Sequence, residues 1–192
     1  MSLVSTPNQD VRADTEPARR LPLRVDQVYE AHVDFVWRSA RSLGVRELHI
    51  DDVVQEVFVV VQRRLAEFEG RSDIKTWLFG ITRRIVRAHV RQLVRSRSQT
   101  EESADLADPS AACAESQLAA LEGAKLLYGL LDELDPDLRE VFVLTELEEM
   151  SGPAIAEALD LQLSNVYARV RRARIAFDAA LKRHRAKQPR PA

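Results

Sequence analysis

Two sets of residues have types and spacings that could do chemistry. Ser164, Asn165, Tyr167, Ala168, Arg169, Arg171, Arg172 and Arg174 fall on or beside one face of a helical stretch whose other face is Val166, Val170, Ala173 and Phe177. Asn and Arg match base edges bidentately in a duplex major groove, and neighbouring arginines can hold phosphates. Arg83, Arg87, Arg91 and Arg95 recur at four-residue steps. Such a ladder drifts slowly round one side of a helix, as a surface following a polyanion backbone would. Like charges at this spacing repel, so the ladder costs the helix something unless a polyanion answers it. A solvated basic face is the alternative account of either set. Covalent catalysis is not indicated: the chain has no glycine-rich phosphate loop, no Cys/His pair with an orienting group and no convergent carboxylates. Nothing has metal-ligand spacing, and no cofactor is expected.

These residues need helices to position them. Helical spacing dominates the chain, only six glycines occur, and alternating β-type runs are scarce, so the spacing predicts an all-α protein. Val28, His32, Phe35, Val36, Ala40 and Leu43 form one stripe that stops at Gly44, a good C-terminal cap. His32 reads as a satisfied core or boundary histidine. A second helix is predicted over Asp51–Phe68, with Asp51 and Asp52 at the positive end of its dipole and Val54, Val57, Phe58, Val61, Leu65 and Phe68 inward. Its other face carries Asp52, Gln55, Glu56, Val59 and Gln62, which periodicity alone assigns to solvent. Gly70–Asp73 breaks the pattern. A third helix, about Ile74–Val94, turns Ile74, Trp77, Leu78, Ile81 and Ile85 inward and bears the arginine ladder.

Residues 96–115, rich in Ser, Ala, Asp and Glu, read as a flexible linker. Helical spacing returns with Leu118, Leu121, Leu127, Leu130, Leu131 and Leu134, and Asp135-Pro136 caps a helix holding Val141, Phe142 and Leu144. Ser151 caps the next helix, with Ile155, Ala156 and Leu159 buried. Asp160 takes the turn, and Ser164 is positioned to cap the recognition helix. The organisation expected is a flexible leader (1–24), a first helical domain (25–95), the linker, a second helical domain with the helix-turn-helix (116–182) and a fraying basic tail (183–192).

The net charge of −2 hides a segregation. Residues 71–98 hold eight Lys/Arg against one acid, 99–149 two against fourteen, and 150–192 nine against three. Two basic blocks flank an acidic one, which can keep them apart or cover them when nucleic acid is absent. The single cysteine, Cys113, fits a reducing cytoplasm, and neither a membrane-spanning run nor a signal-peptide core is present in the sequence.

The order of these blocks resembles bacterial RNA polymerase sigma factors of the sigma-70 family, in particular the small two-domain extracytoplasmic-function (ECF) group. The motifs are DDVVQEVF at Asp51–Phe58, FEGRSDIKTWLFGITRR at Phe68–Arg84, and DPDLREVFVL followed by IAEALDLQLSNVYARVRRAR. The resemblance implies a non-catalytic promoter-specificity subunit, with core RNA polymerase, promoter DNA (duplex and melted) and an anti-sigma factor as partners. It implies that Asp52, Gln55, Glu56 and Val59 dock the polymerase, which replaces the solvent account of that face. Arg71, Ser72, Asp73, Lys75, Arg83, Arg84, Arg87 and Arg91 would then meet the melted element, and Ser164, Asn165, Tyr167, Ala168, Arg171, Arg172 and Arg174 the upstream duplex element. Arg84 stands where many relatives carry Asn, and Asn165 and Tyr167 replace a common Thr and a common basic residue, so the base preferences do not carry over. A stand-alone helix-turn-helix regulator is the other reading. It would usually dimerise on a palindrome, and no third apolar surface suits that.

Overall fold

The computed structural model describes residues 23–97 and 115–187, with backbone alone for 96, 97 and 115–120. The leader to residue 22, most of the linker with Cys113, the inward placement of Leu118 and the end of the tail lie outside the described part. The described residues are helical, without strands: α1 (Val25–Ser42), α2 (Glu47–Arg64), α3 (Ile74–Arg97), α4 (Glu115–Asp132), α5 (Pro136–Phe142), α6 (Gly152–Leu159) and α7 (Leu163–Lys187).

Helix α1 ends in a Schellman turn. Gly44, at φ +100°, sends its N–H to Arg41 O at 3.1 Å, while Val45 N–H reaches Ala40 O at 3.2 Å and the Val45 side chain is buried. Helix α2 begins at Glu47, one turn before the predicted Asp51, because Ile50 and Val53 also face the core. The second-helix pattern ends as a 3-10 turn at Leu65–Glu67. Asp73 opens α3, its Oδ1 accepting from Lys75 N at 2.7 Å. Asp135 caps α5 with Pro136 in the first turn, and Ser151 caps α6, its Oγ accepting from Ala154 N at 3.4 Å. After α5 the chain widens into a π turn at Val143–Leu147, which nothing in the periodicity indicated.

Helices α1, α2 and α3 pack on one another, and α5 and α6 each pack on α7. Helix α3 is also covered on a second side by α6. Phe79 and Val86, off its predicted stripe, are buried with Leu78, Ile81 and Ile85, Val86 beside Pro136 and Arg139 of α5, while Ile74 and Trp77 are half-buried. Trp77 lies 5.3 Å from Phe68, ring to ring. One continuous apolar cluster runs through both halves of the chain. Leu121 departs from its expected inward place and is exposed, since α4 packs only from about Leu127, with Leu130, Leu131 and Leu134 buried. His32 is a boundary residue, but its Nδ1 is buried without a partner, and burial, helped by Lys75, pushes its pKa down.

Candidate nucleic-acid interface

The helix-turn-helix is built around Asp160. Its φ of 54° and ψ of 53° place it in the left-handed region; its N–H meets Glu157 O at 3.3 Å and Leu161 N–H meets Ala156 O at 2.8 Å. This repeats the Gly44 arrangement with an aspartate in the glycine position, a conformation Asp tolerates better than most residues. Helix α7 starts at Leu163, with Asn165 N–H and Val166 N–H both bonded to Gln162 O, so Ser164 lies inside the first turn and does not cap it.

Val166, Val170 and Ala173 are buried and Phe177 stacks on Phe142 at 4.5 Å. Opposite them, Ser164, Asn165, Ala168, Arg171 and Arg172 are exposed. Tyr167 and Arg174 sit a quarter-turn round. The Tyr167 ring lies against Gly152, at the start of α6, close enough that a Cβ there would come 2.9 Å from the phenol oxygen. Arg174 pairs with Glu146 at 2.7 Å. Arg169, expected on or beside the same outward face, is instead turned toward α5 and reaches Asp137 at 3.4 Å. Missed was Ile175, 61% exposed at the centre of the outward face; its i+3 and i+7 spacing from Arg172 and Ala168 was the available signal.

The α3 residues divide. Arg84 and Arg91 are exposed and line a groove of about 560 Å³ between α3 and α6, together with Ser72, Trp77, Arg83 and Arg87. Arg83 Nε donates to Glu140 Oε2 at 2.8 Å, and Arg87 Nε donates to Glu140 Oε1 at 2.7 Å; Arg87 also pairs with Asp137 at 2.9 Å. Burial alone would ease the Arg87 proton off, but the two carboxylates outweigh it and hold its pKa above the ordinary value. Arg71 pairs with Glu69. Lys75 stands 5.7 Å from the Phe35 ring. Beside Ser72 and Asp73, the Phe68–Ile74 loop, the α2 end and the α1 start enclose a hollow of about 1340 Å³.

On α2, Asp52, Gln55, Glu56 and Val59 are all exposed on one stripe, and Leu48, one turn earlier, is 84% exposed. The stripe is acidic with apolar ends. His49 and His89 pack edge to face at 5.2 Å behind it. The His89 pKa is pushed down by burial and by His49.

Two packed helical modules, the second carrying a helix-turn-helix with exposed Asn and Arg, define a DNA-binding class. Residues 28–96 match sigma-70 region 2 and residues 124–177 match sigma-70 region 4. The RNA polymerase sigma factors NccH of Alcaligenes xylosoxydans xylosoxydans and CnrH of Cupriavidus metallidurans are each 32% identical, over 81% of this chain and 85% of theirs. The solved structure of CnrH with the cytosolic domain of CnrY is 30% identical, with a TM-score of 0.63 over 85% of this chain and 89% of that one. Sigma factor RpoE of Bartonella quintana, solved with the anti-sigma factor NepR, shares the fold at 22% identity and a TM-score of 0.64, over 82% of this chain and 96% of that one. The chain belongs to the sigma-70 family of RNA polymerase sigma factors, in the ECF group. It is a non-enzymatic initiation factor that directs polymerase to promoters, and the stand-alone regulator is not favoured.

Proposed function

We propose a division of labour among three faces. The α2 stripe, Asp52, Gln55, Glu56 and Val59, docks the core polymerase. The Gly70–Ile74 loop and α3 take the melted promoter strand: Ser72 and Asp73, which line the large hollow, act with the exposed Arg71 and Lys75 close to them in the chain, and Arg83, Arg84, Arg87 and Arg91 track phosphates. The α7 face reads the upstream duplex through Asn165, Ala168, Arg171 and Arg172, with Ser164 at its start and Tyr167 and Arg174 on the flanking backbone. The observation that carries this reading is electrostatic. The α2 stripe is acidic and would repel phosphate, whereas the α3 and α7 faces are basic.

The chain works in the cytoplasm, where polymerase is. Among the described residues no helix is long and apolar enough to cross a membrane. An anti-sigma factor, as in the CnrH–CnrY complex, holds it when initiation is not required. The domain limits of 25–95 and 116–182 follow the same division.

The test is Asp52→Lys, an exposed change on α2. Core-polymerase affinity should fall at least tenfold with a native helical spectrum. Unchanged affinity in a folded variant would remove the docking assignment.

A further inference from the structure

The partners of Arg83 and Arg87 come from the other half of the chain, 57 and 53 residues away. The Glu140 side chain is only 4% exposed and holds one arginine on each carboxylate oxygen. Asp137, one turn earlier on α5, holds Arg87 on one oxygen and Arg169 of the recognition helix on the other. Two carboxylates therefore engage one arginine from α7 and two from α3. A carboxylate bridging guanidinium groups presents the charge and the oxygen spacing that a backbone phosphate would. The contact is reinforced around it. Arg38 of α1 pairs with Glu148 at 3.6 Å, Arg41 lies 4.3 Å over the Tyr128 ring, and Arg139 of α5 lies against Gly44.

We propose that Asp137 and Glu140 form an internal acidic ligand that occupies the Arg83/Arg87 surface in the free chain, so that the melted-strand face is masked until the two modules separate. This rests on the assignment of the α3 arginines to nucleic acid. The interaction surface thus has two alternative occupants of like chemistry, the chain's own carboxylates and the phosphates of a single strand, and they exclude each other. Polymerase or DNA that draws the modules apart must break these pairs. Once they are broken, Glu140 is left to solvent and both arginines are released together. Arg84 and Arg91, exposed in the same groove, stay available as a first point of contact.

The test uses the full-length chain in a Cys113→Ser background, with spin labels at Arg63→Cys on α2 and Asp178→Cys on α7, both exposed positions. The parent should show one short, narrow distance population. Asp137→Asn/Glu140→Gln should raise the open-to-closed ratio about tenfold, and Asp137→Lys alone, which sets a cation against Arg87 and Arg169, should make a longer, broader population dominant. In parallel, Asp137→Asn/Glu140→Gln should bind a fluorescent single-stranded DNA about tenfold tighter, equivalent to about 1.4 kcal/mol. A control of equal net charge, Glu30→Gln/Glu122→Gln, should not. Circular dichroism confirms folding, and Asp137→Lys keeps the question open to refutation if the Glu140 variant folds poorly. A parent that is already broad, variants that keep the parent distribution, or opening without tighter DNA binding would each overturn the proposal. Neither measurement contains polymerase, so their failure would leave the polymerase-docking reading untouched, and failure of Asp52→Lys would leave the distances interpretable.

Discussion

Gly44→Ala probes whether the two modules close on each other as described. Gly44 sits at φ +100°, where a Cβ costs about 1–2 kcal/mol through backbone sterics alone. A Cβ there would also run into the Arg139 guanidinium, whose side chain is 12% exposed and pairs with Asp132 at 3.1 Å. Displacing a packed neighbour couples the two sites by about 0.5 kcal/mol or more. The expected loss is therefore about 1.5–3 kcal/mol, or roughly 3–12 °C in Tm for a chain of this size. Removing Arg139 takes away the second contribution and leaves the first. In an Arg139→Ala background the same Gly44→Ala change should cost only about 1–2 kcal/mol. Urea unfolding of the four proteins in the cycle gives the coupling directly. Losses that agree within about 0.3–0.5 kcal/mol in the two backgrounds would mean independent sites and would refute the contact between α1 and α5.

Arg171→Ala or Arg172→Ala should flatten preference at one upstream base pair by roughly 1–3 kcal/mol, while Arg174→Ala should weaken all sequences alike and lower the salt slope by about one; holoenzyme binding to single-base variants at two salt concentrations distinguishes these, and a uniform loss for Arg171 and Arg172 would refute base reading. Asp160→Gly should raise stability by about 0.5–1 kcal/mol by relieving a left-handed non-glycine residue, and chemical denaturation that shows a loss would place the stabilising role in the Asp side chain instead. His32 and His89 have folded pKa values held below the ordinary 6.5 by burial, with Lys75 and Asp73 facing the first and His49, Glu56, Arg46 and Asp52 facing the second. Their neutral forms contribute stability above about pH 6.5 that is lost as pH falls through the folded values, so Tm should drop between pH 7.5 and 6, and the drop should shrink in His32→Gln/His89→Gln. Glu148, whose pKa burial raises, acts in the opposite direction by gaining stability as it is protonated. The difference between parent and variant isolates the histidines, and an equal drop in both would refute their role.

The parts of the fold set by local rules were legible in the sequence. Gly44, Asp135, Ser151 and Asp160 announce helix ends because capping and positive φ restrict residue type at the position itself. The α2 and α7 stripes were legible for a similar reason, since each of those helices buries one side. Helix α3 was read only in part. Periodicity describes one buried face, and α3 has two, so Phe79 and Val86 gave no helical-stripe signal. The pairing of Arg83 and Arg87 was invisible for a different reason. Their partner Glu140 stands just before the hydrophobic run Val141–Leu144, more than fifty positions away, and no local spacing ties an acid there to a basic ladder here. Only the block segregation of charge pointed that way. Tertiary covering also explains Leu121, which has the spacing of a core residue but no neighbouring helix to bury it.

The division of labour among three faces is tested most directly by site-specific photocrosslinking in the assembled polymerase–promoter complex, with a crosslinking residue placed in turn at Val59, Arg84 and Ala168, all exposed. The account predicts that Val59 labels a polymerase subunit, Arg84 the melted promoter strand and Ala168 the upstream duplex. Labelling of DNA from Val59, or of polymerase alone from Ala168, would contradict it.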